Sequence, residues 1–356
     1  SFQWAGWLLE GRMISGLERI ASPKAYTHAI NKYGQQRRWD VALDLLEDLQ
    51  VRAVKVDLIL YNAGVTACGK SNSWRQVSDL LGVMPRKNLR IDVITCSASM
   101  RAYSTEDQWP FAIALFCEML QRGPRPNVVA CNTAISACEK GGRWQQALAC
   151  LRTLHDCRLK ADVITYSAII SACEKCEEWR LAIALLREMQ DIGVRPNLIS
   201  YNAAISACEK GGEWRFALGL LKELKGKNME ANVVTYSAVI SAGSKSSEWR
   251  LAFALLTEMR RNVIRANVVT LSAVVSACEK AEKWRQALNI LHKMRDWKLE
   301  ANVVTYSAAV SACEKGWNCQ QAAAVLREMQ QGRLEANAFT YNAVISACEK
   351  EEEWRL

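Results

Sequence analysis

The sequence predicts an all-α solenoid in which antiparallel helix hairpins stack and share one continuous core. Two columns of residues carry this prediction, because both recur at 35 residues or a multiple of 35. A fixed period of about 20–50 residues is the signature of a repeat architecture. Cys-Glu-Lys begins at Cys138, Cys173, Cys208, Cys278, Cys313 and Cys348, with Cys68 in the same phase. The in-phase tryptophans are Trp39, Trp74, Trp109, Trp144, Trp179, Trp214, Trp249 and Trp284, and Trp354 returns after one miss.

Each 35-residue unit predicts two helices, as residues 163–197 show. A first apolar stripe at helical spacing is formed by Val163, Tyr166, Ile169, Ile170 and Cys173, and a second by Trp179, Ala182, Leu185, Leu186 and Met189. The short polar break between the stripes reads Gly141-Gly142 or Gly211-Gly212 elsewhere, which is typical of a helix end. The spacing predicts two helices of about 12–14 residues. One hairpin cannot bury both stripes, but stacked neighbours can.

Counting at this period places nine complete units at residues 23–337 and a truncated tenth at residues 338–356. Residues 1–22 are interpreted as a degenerate half-repeat or cap, because Trp4 is in phase and Trp7 is not. The chain starts at Ser1 without an initiator Met, and its tenth unit stops just inside the second helix. We therefore expect a fragment of a longer protein, with any targeting segment outside it.

The composition is that of a folded chain, and it excludes several classes of protein. Apolar residues make up 50% and charged residues 23% of the chain, and the mean hydropathy is −0.09. Uncharged stretches such as 301–313 are shorter than the roughly 18–20 residues of a membrane span. The 14 cysteines fall below the proportion typical of a disulfide scaffold. A net charge of +9 mildly favours a polyanionic partner.

The cysteines and tryptophans are interpreted as packing residues. Each in-phase cysteine lies on an apolar stripe, where a free thiol behaves as a small hydrophobe. Cys173 and Cys176 form a lone Cys-x-x-Cys, whereas a structural zinc site needs four ligands. An aromatic residue that opens every second helix is expected in the core. We expect no metal, no cofactor and no catalysis, since no phosphate loop, carboxylate pair or Ser/His/Asp set stands out.

Two positions vary within narrow limits on this constant background. The fifth residue of each unit is Asn, Ser or Thr: Thr27, Asn62, Ser97, Asn132, Ser167, Asn202, Ser237, Ser272, Ser307 and Asn342. The last residue is Asp or Asn: Asp57, Asp92, Asn127, Asp162, Asn197, Asn232, Asn267, Asn302 and Asn337. One interpretation makes the last residue a helix N-cap and the fifth a polar residue on an exposed face. The other makes them a pair that recognises one base, close together because one ends a unit and the other lies one turn into the next.

A lysine column ends the first helix of most units. Its members are Lys70, Lys140, Lys175, Lys210, Lys245, Lys280, Lys315 and Lys350. Cations are favourable at a helix C-terminus, so a solvated structural role is one interpretation. Stacked along a solenoid, the lysines would also form a basic stripe.

The units resemble the pentatricopeptide repeat family in its plain 35-residue form, through VVTYSAVISA, RLAIALLREM and the closing GVRPN. The resemblance covers residues 23–356. It implies a right-handed superhelix that binds single-stranded RNA, one base per repeat, in a chloroplast or mitochondrion. It also implies that a lysine near the end of the first helix touches phosphate. The second residue of each unit would wedge between bases: Ile59, Ile94, Val129, Ile164, Ile199, Val234, Val269 and Val304, with Phe339 in the tenth unit.

The resemblance further implies that the fifth and last residues of a unit select its base. Thr with Asp implies G, Asn with Asp implies U, Ser with Asn implies A, and Asn with Asn implies C or U. The nine pairs then specify 5′-GUAUAYAAA-3′ from the N-terminus to the C-terminus. Lys24 in the first unit departs from the pattern, which puts base stacking there in doubt, and in the same unit Tyr33 replaces the cysteine and Gln35 the lysine.

We therefore predict an RNA-binding protein that acts by occupancy in RNA processing, stability or translation, with processing or translation factors as further partners. Two alternatives stay open. A protein-binding scaffold would have no reason to restrict two positions to so few residue types. A guide arm of a larger editing or nuclease protein is compatible with the truncated tenth unit.

Overall fold

The computed structural model describes residues 23–51, 57–71, 73–87, 89–104 and 108–350. Within these ranges the chain is all-α, as predicted, and every helix is too short or too polar to span a bilayer. The proposed cap at 1–22 and the chain end with Trp354 lie outside the described residues. The helices are α1 (Pro23–Gln35), α2 (Trp39–Val51), α3 (Leu58–Lys70), α4 (Trp74–Val83), α5 (Val93–Tyr103), α6 (Trp109–Arg122), α7 (Val128–Lys140), α8 (Trp144–Asp156), α9 (Val163–Lys175), α10 (Trp179–Asp191), α11 (Leu198–Lys210), α12 (Trp214–Gly226), α13 (Val233–Lys245), α14 (Trp249–Arg261), α15 (Val268–Lys280), α16 (Trp284–Asp296), α17 (Val303–Lys315), α18 (Cys319–Gln331) and α19 (Ala338–Lys350).

The helices alternate as first and second members of hairpins. The odd-numbered ones from α3 onward begin directly after an Asp or Asn, and most even-numbered ones begin at a tryptophan. Nearly all are 13 residues long, within the predicted length. Helix α4 is shorter at 10 residues and leads into a 3-10 turn at Pro85–Lys87. Pro85 has no backbone N–H to continue the helical hydrogen bonds, which accounts for the early end.

The described residues divide into two compact units, one drawn from residues 1–141 and 149–160 and the other from residues 142–148 and 161–356. In the N-terminal unit, α1, α3, α5 and α7 pack in sequence on one another. In the C-terminal unit, α9, α11, α13, α15, α17 and α19 do the same. A second helix such as α10 or α12 packs against the first helix before it and the first helix after it. Within each unit the hairpins thus bury their stripes against their neighbours, as stacking requires.

The in-phase cysteines are core residues, except that Cys348 in the tenth unit is half-buried. Cys138, Cys173, Cys208, Cys278 and Cys313 are fully buried. Burial raises the pKa of the Cys173, Cys208 and Cys278 thiols to about 12, because it disfavours the charged thiolate. The packing interpretation of this column is confirmed. Within the described ranges, no cluster of three or more His, Cys, Asp or Glu side chains is placed to hold a metal ion.

The tryptophan column differs from the prediction, because these side chains are half-buried rather than in the core. Trp179 lies over Gly211 of the next unit, where any Cβ would collide with the indole, and its ring is 5.1 Å from that of Phe216. Arg180 covers it at 5.1 Å from the ring centroid. The tryptophan opens its helix, packs against the following repeat and remains partly exposed.

The fourth residue of many units is a buried tyrosine that ties the two helices of its hairpin together. Tyr166 Oη donates to Glu188 at 2.9 Å, and Tyr201 Oη donates to Glu223 at 2.7 Å. Burial by itself would raise the pKa of Glu223, but hydrogen bonds from Tyr201, Lys227 and Gln190 outweigh it and lower the pKa. Tyr61 lacks this link: its hydroxyl is buried without a hydrogen-bond partner among the described residues.

Candidate nucleic-acid interface

The last residue of every complete unit caps the next first helix. Its Oδ1 atom accepts the backbone N–H three residues further on, at 2.8–3.0 Å. The N-cap interpretation is therefore confirmed for Asp57, Asp92, Asn127, Asp162, Asn197, Asn232, Asn267, Asn302 and Asn337.

Capping determines which side-chain atom of the last residue remains free for a further hydrogen bond. The backbone N–H needs an acceptor, so an asparagine must turn Oδ1 toward the helix and keep Nδ2 as a donor. An aspartate in the same pose keeps Oδ2 as an acceptor. In the second unit, Asp92 Oδ2 accepts from Asn62 Nδ2 at 3.0 Å. Capping and base selection are thus compatible roles for one residue.

The fifth residues lie between neighbouring first helices, which corrects the interpretation that they occupy an exposed face. Ser167 is 8% exposed and Ser307 is 7% exposed, and Asn202 is half-buried. Ser167 Oγ donates to the Val163 carbonyl of its own helix at 2.6 Å. The buried or half-buried members are Thr27, Asn62, Ser97, Asn132, Ser167, Asn202, Ser237, Ser272 and Ser307, while Asn342 is exposed on α19.

A third side chain, which the sequence analysis missed, joins the fifth residue to the last residue of the same unit. It is the Ser or Thr at the third position of the following unit, and we name it the bridging hydroxyl. Ser237 Oγ lies 2.6 Å from Thr270 Oγ1, which donates to Asn267 Oδ1 at 2.8 Å. The other complete sets are Asn62–Thr95–Asp92, Ser167–Ser200–Asn197, Asn202–Thr235–Asn232, Ser272–Thr305–Asn302 and Ser307–Thr340–Asn337.

Two pairs lack a bridging hydroxyl. The third residue of the following unit is Leu60 for the pair Thr27 and Asp57, and Ala130 for the pair Ser97 and Asn127. Asn132 belongs to the N-terminal compact unit and Asp162 to the C-terminal one. Within each compact unit, the members of a pair meet because successive first helices pack side by side. The expectation that adjacency along the chain brings them together is wrong, because the two members of a pair such as Asn62 and Asp92 are 30 residues apart.

The second residues form an exposed apolar column in each compact unit. Ile59, Ile94 and Val129 line one column, and Ile164, Ile199, Val234, Val269, Val304 and Phe339 line the other. These side chains are 53–64% exposed. Scattered exposed apolar residues are common, but the same place in successive hairpins makes, within each compact unit, a strip that a flat apolar partner would cover.

The lysine column divides into paired and unpaired members. Lys315 Nζ lies 3.1 Å from Glu279 Oε1 of the preceding unit, and Lys245 Nζ donates to the Glu209 carbonyl at 2.8 Å. Lys210 and Lys350 also pair with glutamates, and Lys140 donates to the Ser104 carbonyl. Among the described residues, Lys70 and Lys280 have no hydrogen bond or ion pair, since Gly34 and Ser244 stand where other units have glutamate. The expected basic stripe is therefore partly neutralised by a parallel acidic one.

Family models match most of the chain. One described as the PPR repeat family matches residues 126–175, 161–210 and 196–245, and one described as a pentatricopeptide repeat domain matches 79–143, 254–315 and 289–351. A third, described as a PPR repeat, matches 24–53 and 234–264. The chain belongs to the pentatricopeptide repeat family. No curated protein sequence matches it significantly.

Two solved structures show the same pentatricopeptide repeat fold. The pentatricopeptide repeat protein PPR10 from maize is 21% identical with a TM-score of 0.57, and the match covers 94% of this chain and 53% of that one. PPR10 in complex with an 18-nt psaJ RNA element is 20% identical with a TM-score of 0.50, covering 92% of this chain and 57% of that one. This chain thus spans about half the length of these relatives.

Proposed function

We propose that this pentatricopeptide repeat chain binds single-stranded RNA along its first helices, one base per repeat. The exposed β-branched column carries the proposal. Nothing in the described structure covers these side chains, although an isoleucine such as Ile199 is 62% exposed. A flat base placed on each would bury that surface, and every base offers an apolar face for such stacking. The solved complex of PPR10 with RNA supports the proposal through the shared fold.

We further propose that the fifth and last residues select each base, with 5′-GUAUAYAAA-3′ as the target. Capping supports this proposal, because it leaves an acceptor at Asp and a donor at Asn beside the fifth residue. The edges of uracil and cytosine differ in this respect, since uracil offers an N–H donor where cytosine offers an acceptor. An exchange of Asp92 for Asn should therefore shift the second base from U toward C.

The phosphate role of the lysines rests most firmly on Lys70 and Lys280, whose ammonium groups are not already neutralised. To bind phosphate, Lys210, Lys315 and Lys350 would have to give up a carboxylate, and Lys140 and Lys245 a backbone carbonyl. We place the protein in a chloroplast or mitochondrion, acting by occupancy on RNA processing, stability or translation.

A filter-binding titration tests this function. GUAUAUAAA RNA, a scrambled RNA of equal composition and the same sequence as DNA are compared at two salt concentrations. A preference of tenfold or more for the target RNA, about 1.4 kcal/mol, is expected. Equal salt-sensitive binding to all three would refute base selection, and no binding at low salt would favour a protein-binding scaffold. An unchanged ratio of U to C binding in Asp92→Asn would refute the code at that repeat.

A further inference from the structure

The bridging hydroxyl touches both members of the base-selecting pair, yet it belongs to the next repeat. We propose that it is a positioning residue that sets base discrimination in the repeat before it. This proposal rests on the base selection proposed above. It means that the identity of a base depends on three side chains, one of them in the neighbouring hairpin.

At an asparagine pair, the bridging hydroxyl decides which end of the amide is free. Thr235 Oγ1 lies 2.6 Å from Asn202 Oδ1 and 3.0 Å from Asn232 Oδ1, with its proton available to either. A donor at this place holds Asn202 Oδ1 toward the protein and leaves Nδ2 to donate elsewhere. Without the hydroxyl, the amide can flip and present an acceptor in place of a donor, so the distinction between bases weakens.

At a serine pair, the bridging hydroxyl adds a second contact that fixes the position of the serine oxygen. Ser237 Oγ donates to the Val233 carbonyl at 2.7 Å and lies 2.6 Å from Thr270 Oγ1. With its proton on the carbonyl, Ser237 Oγ is an acceptor toward both Thr270 and a base, and the single proton of Thr270 Oγ1 is available to either Ser237 Oγ or Asn267 Oδ1. Thr270 is fully buried, and this contact holds the serine in one rotamer.

The chain contains a natural comparison between two repeats with the same pair. Ser97 and Asn127 repeat the chemistry of Ser237 and Asn267, but Ala130 stands in place of the bridging hydroxyl. Ser97 Oγ still donates to its own helix, to the Val93 carbonyl at 2.7 Å. No hydroxyl ties it to Asn127 in the described structure. We therefore expect weaker discrimination at the third base than at the seventh, although both pairs specify A.

The test measures base discrimination at single positions. RNAs with each of the four bases at position 3, 7 or 8 of GUAUAUAAA are titrated against the wild type and against Thr270→Val, Thr270→Ser and Ala130→Ser. Thr270→Val keeps the shape and the backbone N–H cap while it removes the hydroxyl. Loss of one neutral hydrogen bond predicts about fivefold less discrimination at base 7. Base 8, which is served by Thr305, is the internal control and should not change.

Thr270→Ser should restore the wild-type discrimination, and Ala130→Ser should raise it at base 3, because Ser200 fills the equivalent place in another repeat. A merely structural role would instead weaken all RNAs alike. Unchanged discrimination at base 7 in a folded Thr270→Val protein overturns the proposal but leaves base selection intact. If Thr270→Val does not fold, unchanged discrimination at base 3 in Ala130→Ser overturns the proposal instead. A wild type without any base preference refutes base selection itself, and this proposal with it.

Discussion

Truncation of one exposed column residue, Ile199→Ala, should separate an RNA-stacking role from a packing role. Ile199 is 62% exposed in the free protein, so its substitution should change the free energy of unfolding by no more than about 0.5 kcal/mol. Alanine lacks three of its carbons, and each is worth about 0.8 kcal/mol when it is fully buried. If bases cover the exposed fraction, the RNA complex loses about 1.5 kcal/mol. The dissociation constant for GUAUAUAAA RNA should then rise about tenfold.

The assay pairs a filter-binding titration with thermal unfolding of the same preparations. Ile192→Ala is the matched control, because Ile192 is 57% exposed at the end of α10 and lies outside the column. The control should change neither binding nor melting temperature. Equal dissociation constants for the wild type, Ile199→Ala and Ile192→Ala would show that the column does not stack on bases. A large loss of stability in Ile199→Ala would show that it is a packing residue.

Three further predictions use contrasts within the chain. Lys280→Ala should flatten the slope of log binding constant against log salt concentration by about 0.7. Lys315→Ala should change this slope less, because Lys315 is already paired with a glutamate. If the two variants have the same slope, the phosphate role of Lys280 is refuted. Tyr166→Phe should destabilise the fold by about 1.5–3 kcal/mol, because it removes a hydrogen bond to a carboxylate. Tyr61→Phe should be neutral or stabilising, because the Tyr61 hydroxyl has no partner among the described residues. Urea unfolding that finds Tyr61→Phe the more destabilised variant would contradict these contacts. Glu223 has a folded-state pKa below its ordinary value of 4.5. The stabilisation of the fold by its ionised carboxylate is therefore complete above pH 4.5 and is lost as the pH falls through the folded pKa. The stability gap between wild type and Glu223→Gln should therefore close in acid, and a constant gap from pH 7 to pH 3 would refute the assignment.

Local periodicity was enough to predict the hairpins. In residues 163–197, the two apolar stripes predicted two helices, and α9 and α10 occupy Val163–Lys175 and Trp179–Asp191. The Asp or Asn before each first helix is likewise a local signal, since capping needs only the next three residues. The cysteine column could be assigned to the core because its spacing places it on the buried stripe.

Contacts between repeats could not be predicted in the same way. Trp179 was expected in the core, but the surroundings of its indole depend on Gly211 and Phe216 in the following unit. The lysines were expected to form a basic stripe, yet Lys315 pairs with Glu279, 36 residues earlier. The bridging hydroxyls were visible as a column of Ser and Thr at the third position, but no local rule connects that column to the fifth residue of the previous unit.

The sequence by itself thus determined the period, the helices, the caps and the two restricted positions, because each follows from interactions within a few residues along the chain. Only the tertiary structure decided that Ser237, Thr270 and Asn267 meet, that the fifth residues are largely buried, and which lysines keep an unpaired charge. Those features depend on how closely one first helix packs against the next. A separation of 33 residues along the chain becomes a hydrogen bond only when the hairpins stack in register.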